Sequence, residues 1–234
     1  MEKERLKVLV GCETSGTVRD AFYWAGFDAW SCDILEADTP TNRHMVGDVR
    51  DVMNWDNWDL LYVAHPPCTR LCNSGVRWLH KAPPSRTLAS MWSELDDGCD
   101  LFREIMDADI PNIAIENPVM HKHAKSRIWG PKWKTASKND GTFTQTSVQP
   151  YQFAESIDSE DNQSKRTCLW VKNLPALKPT GTLTRETARH DIHLAAPSAD
   201  RWKIRSKFHT GMANAMADQW GNAALNFKTK SLAS

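Results

Sequence analysis

The sequence predicts an α/β protein built on a doubly wound, mostly parallel sheet. Short apolar runs alternate with helix-period stretches over the first 120 residues. Those runs end in polar or proline turns, and chemically active side chains recur at the ends. Strands covered on both faces read as continuous apolar runs, which is what a parallel sheet requires.

The elements follow in order. LKVLVGCE (6–13) is a buried strand that ends at a polar turn. Thr14-Ser15-Gly16 opens the helical stretch TVRDAFYWAGF, in which Val18, Ala21, Phe22 and Ala25 repeat at helix spacing and Gly26 stops the run. DAWSCDI (28–34) is a second strand and MVGDV (45–49) a short third one. WDLLYVAHPP (58–67) is a fourth, ended by prolines that cannot continue a ladder. A helix is expected over 87–107, then a fifth strand, NIAIENP (112–118). Beyond residue 120 the periodicity fades. QPYQF (149–153) and KRTCLWVKNL (165–174) read as strands, separated by the acidic loop ESIDSEDNQS. The stretch 175–206, rich in Pro, Thr and Arg, reads as an irregular insertion, and FHTGMANAMADQWGNAALNF (208–227) as a closing helix in two parts. The expected organisation is a body over 1–174, an insertion over 175–206 and a closing helix over 207–234.

The 234 residues, 41% hydrophobic and 25% charged, suit a globular protein of ordinary size. No run approaches the roughly 20 apolar residues of a membrane span. MEKERLKVLV enters a strand without a signal-peptide core, and six scattered cysteines suit reduced thiols, so a cytoplasmic protein is expected. The net charge of zero hides an asymmetry: residues 1–120 sum to −9 and residues 121–234 to +9. One basic face for a polyanion or phosphate accounts for this, and so does charge pairing between the halves. HKHAKSRIWGPKWKTASK (121–138) holds six Lys or Arg, no acid, and Trp129 and Trp133. It reads either as a nucleic-acid contact, with indoles to stack on bases, or as a solvated loop whose tryptophans pack inward.

In doubly wound sheets ligands bind beyond the carboxyl ends of the strands. Glu13, Asp33, Asp48, Cys68 and Glu116 all fall there. In HPPCTRLC two prolines stiffen the turn that presents Cys68, and Arg70 follows closely. A thiol so placed is a candidate nucleophile if a basic neighbour lowers its pKa; alone it reads equally as a packing cysteine. IENP at the next strand end adds a carboxyl to the same crevice, and thiol plus carboxyl suits attack on an electron-poor ring.

The ordered set CETSGTVRDAF, AHPPCTRLCNSGVRW, IENPV, QPYQF, KRTCLWVKNLPALKPT and MANAMADQWGNA resembles the DNA (cytosine-5) methyltransferases, in particular the short phage-type members, over roughly residues 6–225. The resemblance implies the Rossmann-like fold of methyltransferases that use S-adenosylmethionine (SAM). It implies that Gly11, Cys12, Glu13, Ser15 and Gly16 form the loop approaching SAM. Asp33, with Ile34 beside it, would bond the ribose hydroxyls, Asp48 and Val49 would meet the adenine, and Pro67 would flank the cofactor. Cys68 would add to C6 of cytosine while Glu116 bonds N3 and the exocyclic amine. Gln163-Ser164-Lys165-Arg166-Thr167 departs from the family's Gln-x-Arg-x-Arg pattern; Arg166 or Lys165 would meet the cytosine O2. Lys122, Lys125, Arg127, Lys132, Lys134 and Lys165 are the expected nucleic-acid contacts. Glu13 and Thr14 stand where the family's loop is richer in glycine, and Thr69 where longer members carry Gln.

The interval from Arg166 to Gly211, about 45 residues, is too short for an elaborate target-recognition domain. The substrate that the resemblance implies would therefore be DNA at a short or relaxed site, with the base flipped outward, or a free cytosine or uracil nucleotide. A catalytically degenerate decoy that binds SAM and DNA is the rival reading. No metal is expected, since Cys68, Cys72, His121 and His123 lack tight ligand spacing, and no obligate protein partner is evident. Cys72 and Cys168 read as packing residues, as do Trp55, Trp58, Trp78 and Trp92; His65 reads as a structural histidine.

Overall fold

The computed structural model describes residues 5–64, 66–194 and 208–233. Seven strands form one sheet in the order β3-β2-β1-β4-β5-β7-β6. They are β1 (Lys7–Gly11), β2 (Asp28–Asp33), β3 (His44–Val46), β4 (Leu60–Val63), β5 (Asn112–Asn117), β6 (Thr144–Val148) and β7 (Thr167–Lys172). Pairing is parallel except along β7, which runs antiparallel to both β5 and β6. This is the doubly wound, mostly parallel sheet of Rossmann-like type that the sequence predicts. β4 and β5 are buried along their whole lengths, as central strands covered on both faces should be.

The helices are α1 (Thr17–Trp24), α2 (Val49–Val52), α3 (Leu88–Met106), α4 (Lys122–Trp129), α5 (Trp133–Ala136), α6 (Asp191–Leu194) and α7 (Thr210–Ala233). One core, with Phe22, Tyr62, Phe153, Met216 and Trp220, lies between the sheet and the α1–α7 layer. The second, with Leu61, Met91, Phe102, Ile113 and Trp170, lies under α3 and α4. α3 starts where the sequence places it because Thr87 and Ser90 cap it reciprocally, each side chain accepting from the other's backbone N–H.

Four expectations are corrected. QPYQF is not a strand: β6 ends at Val148, Pro150 withdraws a ladder donor, and Pro150–Phe153 turns as a 3₁₀ helix. The closing helix is continuous over Thr210–Ala233; Gly221 does not break it because it faces Phe27, whose ring would lie 2.3 Å from a Cβ. The basic stretch after residue 120 is helical, as α4 and α5. Trp55 is 62% exposed, whereas Trp58 packs and Trp78 and Trp92 are partly buried. Of the insertion, residues 175–194 hold the single turn α6, while residues 195–206 and His65 lie outside the described residues. No helix among the described residues is long and apolar enough to cross a membrane.

Candidate active site

The turn after β4 carries Cys68 and is held from two sides. The Cys68 carbonyl accepts from Leu71 N–H at 2.9 Å and Cys72 N–H at 3.0 Å, closing a helical turn. The segment that follows β5 then lies alongside: His121 N–H donates to the Leu71 carbonyl, Asn73 N–H to the Val119 carbonyl, and Cys72 bridges Met120. The turn and the end of β5 therefore move as one piece, which fixes Cys68 relative to Glu116. Gly75 closes the loop so tightly that a Cβ would stand 1.7 Å from the Thr69 carbonyl oxygen. On the other side Arg70 donates from Nε to Glu94 on α3 at 2.8 Å.

Four polar groups converge here. Glu116 is 5% exposed, and burial pushes its carboxyl up to about 7 against the opposing charge of Lys165. The Cys68 thiol is pushed up by its hydrogen bond with Cys72, by burial and by the neighbouring charge of Glu116. Cys72 shifts downward as the acceptor of that bond, and its sulfur lies 3.0 Å from Ser74 Oγ. Lys165 is half-buried and its charge bears on both Cys68 and Glu116. Two sequence expectations change accordingly. Arg70 does not activate Cys68, because its guanidinium is committed to Glu94. Arg166 is exposed and its charge bears on Cys168 instead. Residues alternate sides on entering β7, so only one of this adjacent pair can face the cluster.

Beside the cluster lies a cavity of about 880 Å³ at the carboxyl ends of β1, β2 and β3. Of the predicted cofactor residues, Cys12, Asp33, Ile34, Asp48, Val49 and Pro67 line it. Pro67 and Thr69 line the cavity while Cys68 between them does not, and the charge of Glu116 bears on the Cys68 thiol. Ile34 and Leu35 are 72% and 54% exposed, an open apolar shelf next to the Asp33 carboxylate. Asp48 caps α2 through Arg50 N–H, and the Arg50 guanidinium holds its carboxyl below the usual range. Gly11, Glu13, Ser15 and Gly16 are not in the lining. Glu13 is fully buried and its carboxylate accepts from Val18 N–H at 2.7 Å and Arg19 N–H at 3.2 Å. It is spent on the N-terminus of α1, and burial raises its pKa to about 7. Ser15 Oγ lies 3.3 Å from the same carboxylate, Gly11 backs onto Val49, and Gly16 is buried over the Arg19 guanidinium. In this conformation the Glu13 carboxylate is engaged within the loop itself.

The cavity's remaining wall, with Glu94, Asp97, Gly98, Leu101 and Glu104, comes from α3, which the sequence does not mark as part of a site. A signal exists, since acids recur at helix spacing over 94–104, yet an acidic helix face reads first as solvated surface. Cys72 is more than the packing residue its sequence context suggests: its spacing of four from Cys68 is the helical neighbour distance that brings the thiols together.

The basic segment divides. Lys122, Lys132 and Lys134 are exposed and Lys125 half-buried. Arg127 is bound to Asp96 and stacked 4.9 Å over Trp92. Trp129 stacks on Trp170 and donates to Asp140 at 3.1 Å, so it is a packing residue and not a base platform. Among the described residues no three His, Cys, Asp or Glu side chains group as a metal site. A smaller hollow of about 310 Å³ between α1 and α7 touches none of these groups.

No family model matches the chain, and no curated protein matches it. Similar solved structures include a prophage-encoded DNA modification methyltransferase described from E. coli, 14% identical over 71% of this chain and 46% of that one, with TM-score 0.42. A methyltransferase of Entamoeba histolytica is 14% identical over 84% of this chain and 62% of that one, at 0.42. The Dnmt2 methyltransferase of S. pombe is 13% identical over 83% and 57%, at 0.38. The chain spans roughly half to three-fifths of the length of these structures. With TM-scores below 0.5 these likenesses transfer no residue role or activity to it.

Proposed function

We propose that the protein is a SAM-dependent methyltransferase acting on C5 of cytosine in DNA. The observation that carries this reading is the tethering of the Cys68 turn to the end of β5. It supports a thiol and a carboxyl raised by burial acting on one ring, with the flanking Pro67 and Thr69 opening onto a separate cavity. That arrangement suits a two-substrate reaction: a ring between Cys68 and Glu116, and a methyl donor in the neighbouring cavity.

The cavity's residues fit SAM. The Ile34–Leu35 shelf is apolar and open, as a purine ring needs, and Asp33 at the second strand end suits ribose hydroxyls. SAM supplies an electrophilic methyl group. Cys68 forms its sulfur–C6 bond as its thiol loses a proton, and the C5–C6 electron pair moves toward N3. Glu116, raised by burial to about 7, is poised to hold a proton near neutral pH and gives it to N3 as that charge develops. The resulting C5 would be electron-rich, and SAM held in the neighbouring cavity would supply the methyl group there, its sulfonium leaving as a neutral thioether. Water then takes the C5 proton, the sulfur–C6 bond breaks with its electrons on sulfur, N3 returns its proton to Glu116, and the Cys68 thiolate regains a proton from solvent. Lys165 replaces Arg166 as the residue proposed to face the ring oxygen.

The test is methyl transfer from labelled SAM to duplex DNA, single-stranded DNA and free deoxycytidine monophosphate, with the products identified by mass spectrometry. A 5-fluorocytosine substrate should trap a covalent adduct that Cys68→Ser abolishes. SAM binding without any adduct would instead favour the decoy reading.

A further inference from the structure

A thiol that adds to a ring leaves a proton to be placed, so Cys68 needs a base. The charged groups already described at the turn do not serve. Arg70 is bound to Glu94, Lys165 bears on Cys68 as a cation, and Glu116 is the acid of the same step.

Cys72 lies one helical turn beyond Cys68. Its N–H donates to the Cys68 carbonyl at 3.0 Å, and a hydrogen bond joins the two sulfurs. The turn surrounds the Cys72 sulfur with donors. Ser74 Oγ lies 3.0 Å away, and the backbone N–H groups of Gly75 and Ser74 point at the same atom. The Thr69 carbonyl stands 4.0 Å off, at the outer limit for a sulfur hydrogen bond. Donors gathered on one sulfur stabilise it as an anion, and they lower the Cys72 thiol against the opposing effect of burial. Cys68 is pushed the other way and carries the proton of the pair. Exposure divides the roles further. Cys68 is half-buried, whereas Cys72 is 5% exposed and bridged to Met120. A ring can reach the first sulfur and not the second.

We infer that Cys72, as a thiolate, is the base that takes the proton of Cys68. As Cys68 adds to the ring its S–H bond breaks, the proton passes to the Cys72 sulfur, and the freed electron pair forms the bond to C6. When the sulfur–C6 bond later breaks with its electrons on Cys68, the Cys72 thiol returns the proton in place of solvent. Over a cycle the pair gains and loses nothing. The negative charge on Cys72 also raises the Glu116 carboxyl, which favours the proton that Glu116 gives to N3. The inference rests on the methyltransferase reading for what Cys68 attacks.

The test reads the thiolate first. Burial holds Cys12, Cys32, Cys99 and Cys168 protonated, so an ultraviolet thiolate band at pH 7 reports on Cys68 and Cys72. The band should survive in Cys68→Ser, whose hydroxyl can still donate, and vanish in Cys72→Ser. Ser74→Ala, at an exposed position, should raise the pH at which the band titrates by about one unit. Covalent trapping with a 5-fluorocytosine duplex then tests the base. Cys72→Ser should trap about 10²–10⁴-fold more slowly at pH 7, with SAM affinity unchanged. Its rate relative to wild type should rise about tenfold from pH 6 to pH 7, because Cys68 must then ionise to solvent. A merely structural defect would leave that ratio independent of pH. A band that follows Cys68, no band in wild type, no shift in Ser74→Ala, or a pH-independent ratio overturns the inference. The two readings fail separately. Wild-type trapping without a Cys72 thiolate leaves the cytosine chemistry standing. A Cys72 thiolate in a protein that traps no cytosine sinks that chemistry, and the base with it.

Discussion

His121 donates from Nε2 to the carbonyl of Arg70 at 2.6 Å, while its Nδ1 accepts from Ala124 N–H at 3.1 Å. One ring thereby caps α4 and ties it to the nucleophile turn, and only the neutral tautomer with hydrogen on Nε2 can do both. Burial lowers its pKa, and the nearby charges of His123 and Arg127 act in the same direction. With the folded pKa below the unfolded value of about 6.5, the unfolded chain binds more protons between the two. His121 thus contributes stability present above about pH 6.5 and lost as pH falls toward its folded value. Between pH 7 and 5.5 the melting temperature of wild type should fall relative to that of His121→Asn, followed by circular dichroism. Parallel curves would refute the requirement for a neutral ring.

Glu116 carries the opposite sign. Its folded pKa of about 7 lies above the unfolded value, so the native state binds the extra proton between about 4.5 and 7 and stability falls as pH rises through that window. Above it, the buried carboxylate costs up to about 3 kcal/mol, at about 1.36 kcal/mol per unit. Glu116→Gln should therefore raise stability to urea at pH 8 and leave it nearly unchanged at pH 4.5. The same variant should lose about 10²–10⁴-fold in methyl transfer, the pattern of a residue kept for chemistry at the expense of stability. Equal urea midpoints at pH 8 would mean that the carboxyl is not strained by burial.

The hydrogen bond with Cys72 and burial hold the Cys68 thiol protonated, and the charge of Glu116 adds to them. Because those two larger causes remain, Glu116→Gln should speed alkylation of Cys68 by iodoacetamide at pH 8 only modestly while methyl transfer collapses. Peptide mapping separates Cys68 from the buried Cys72. A slower reaction at Cys68 would show that the two groups do not face each other.

The sheet is legible because its strands declare themselves locally. LKVLVG, LLYV and NIAIEN are apolar along most of their lengths, so burial on both faces and the polar residues at their ends can be read together. Cys68 and Glu116 are legible for the same reason, since strand ends in such a sheet share one edge. What the sequence hides depends on partners distant along the chain. Arg70 and Arg127 read as available cations until Glu94 and Asp96 on α3 take them. Glu13 reads as a cofactor contact until the N–H groups of Val18 and Arg19 claim its carboxylate. β6, TQTSV, has an exposed polar face at the sheet's edge and carries no apolar run to announce it.

Gly75 offers the most direct test of how the nucleophile turn is held. A Cβ there would stand 1.7 Å from the Thr69 carbonyl oxygen, a backbone atom with no flexible end to swing aside. Gly75→Ala must therefore open the loop that runs from Cys68 to Gly75, at a cost of about 1–3 kcal/mol. Opening separates Cys72 from Met120 and loosens the N–H bond from His121 to Leu71, so Cys68 loses its fixed position relative to Glu116. The cofactor cavity draws its Asp33, Ile34 and Asp48 wall from other strands, and that wall should persist. The expected result is a lower urea midpoint, methyl transfer reduced at least about a hundredfold, and SAM affinity close to that of wild type by calorimetry. Preserved transfer at wild-type rate would show that the loop relaxes without moving Cys68. SAM affinity falling in step with transfer would mean that turn and cavity form a single unit.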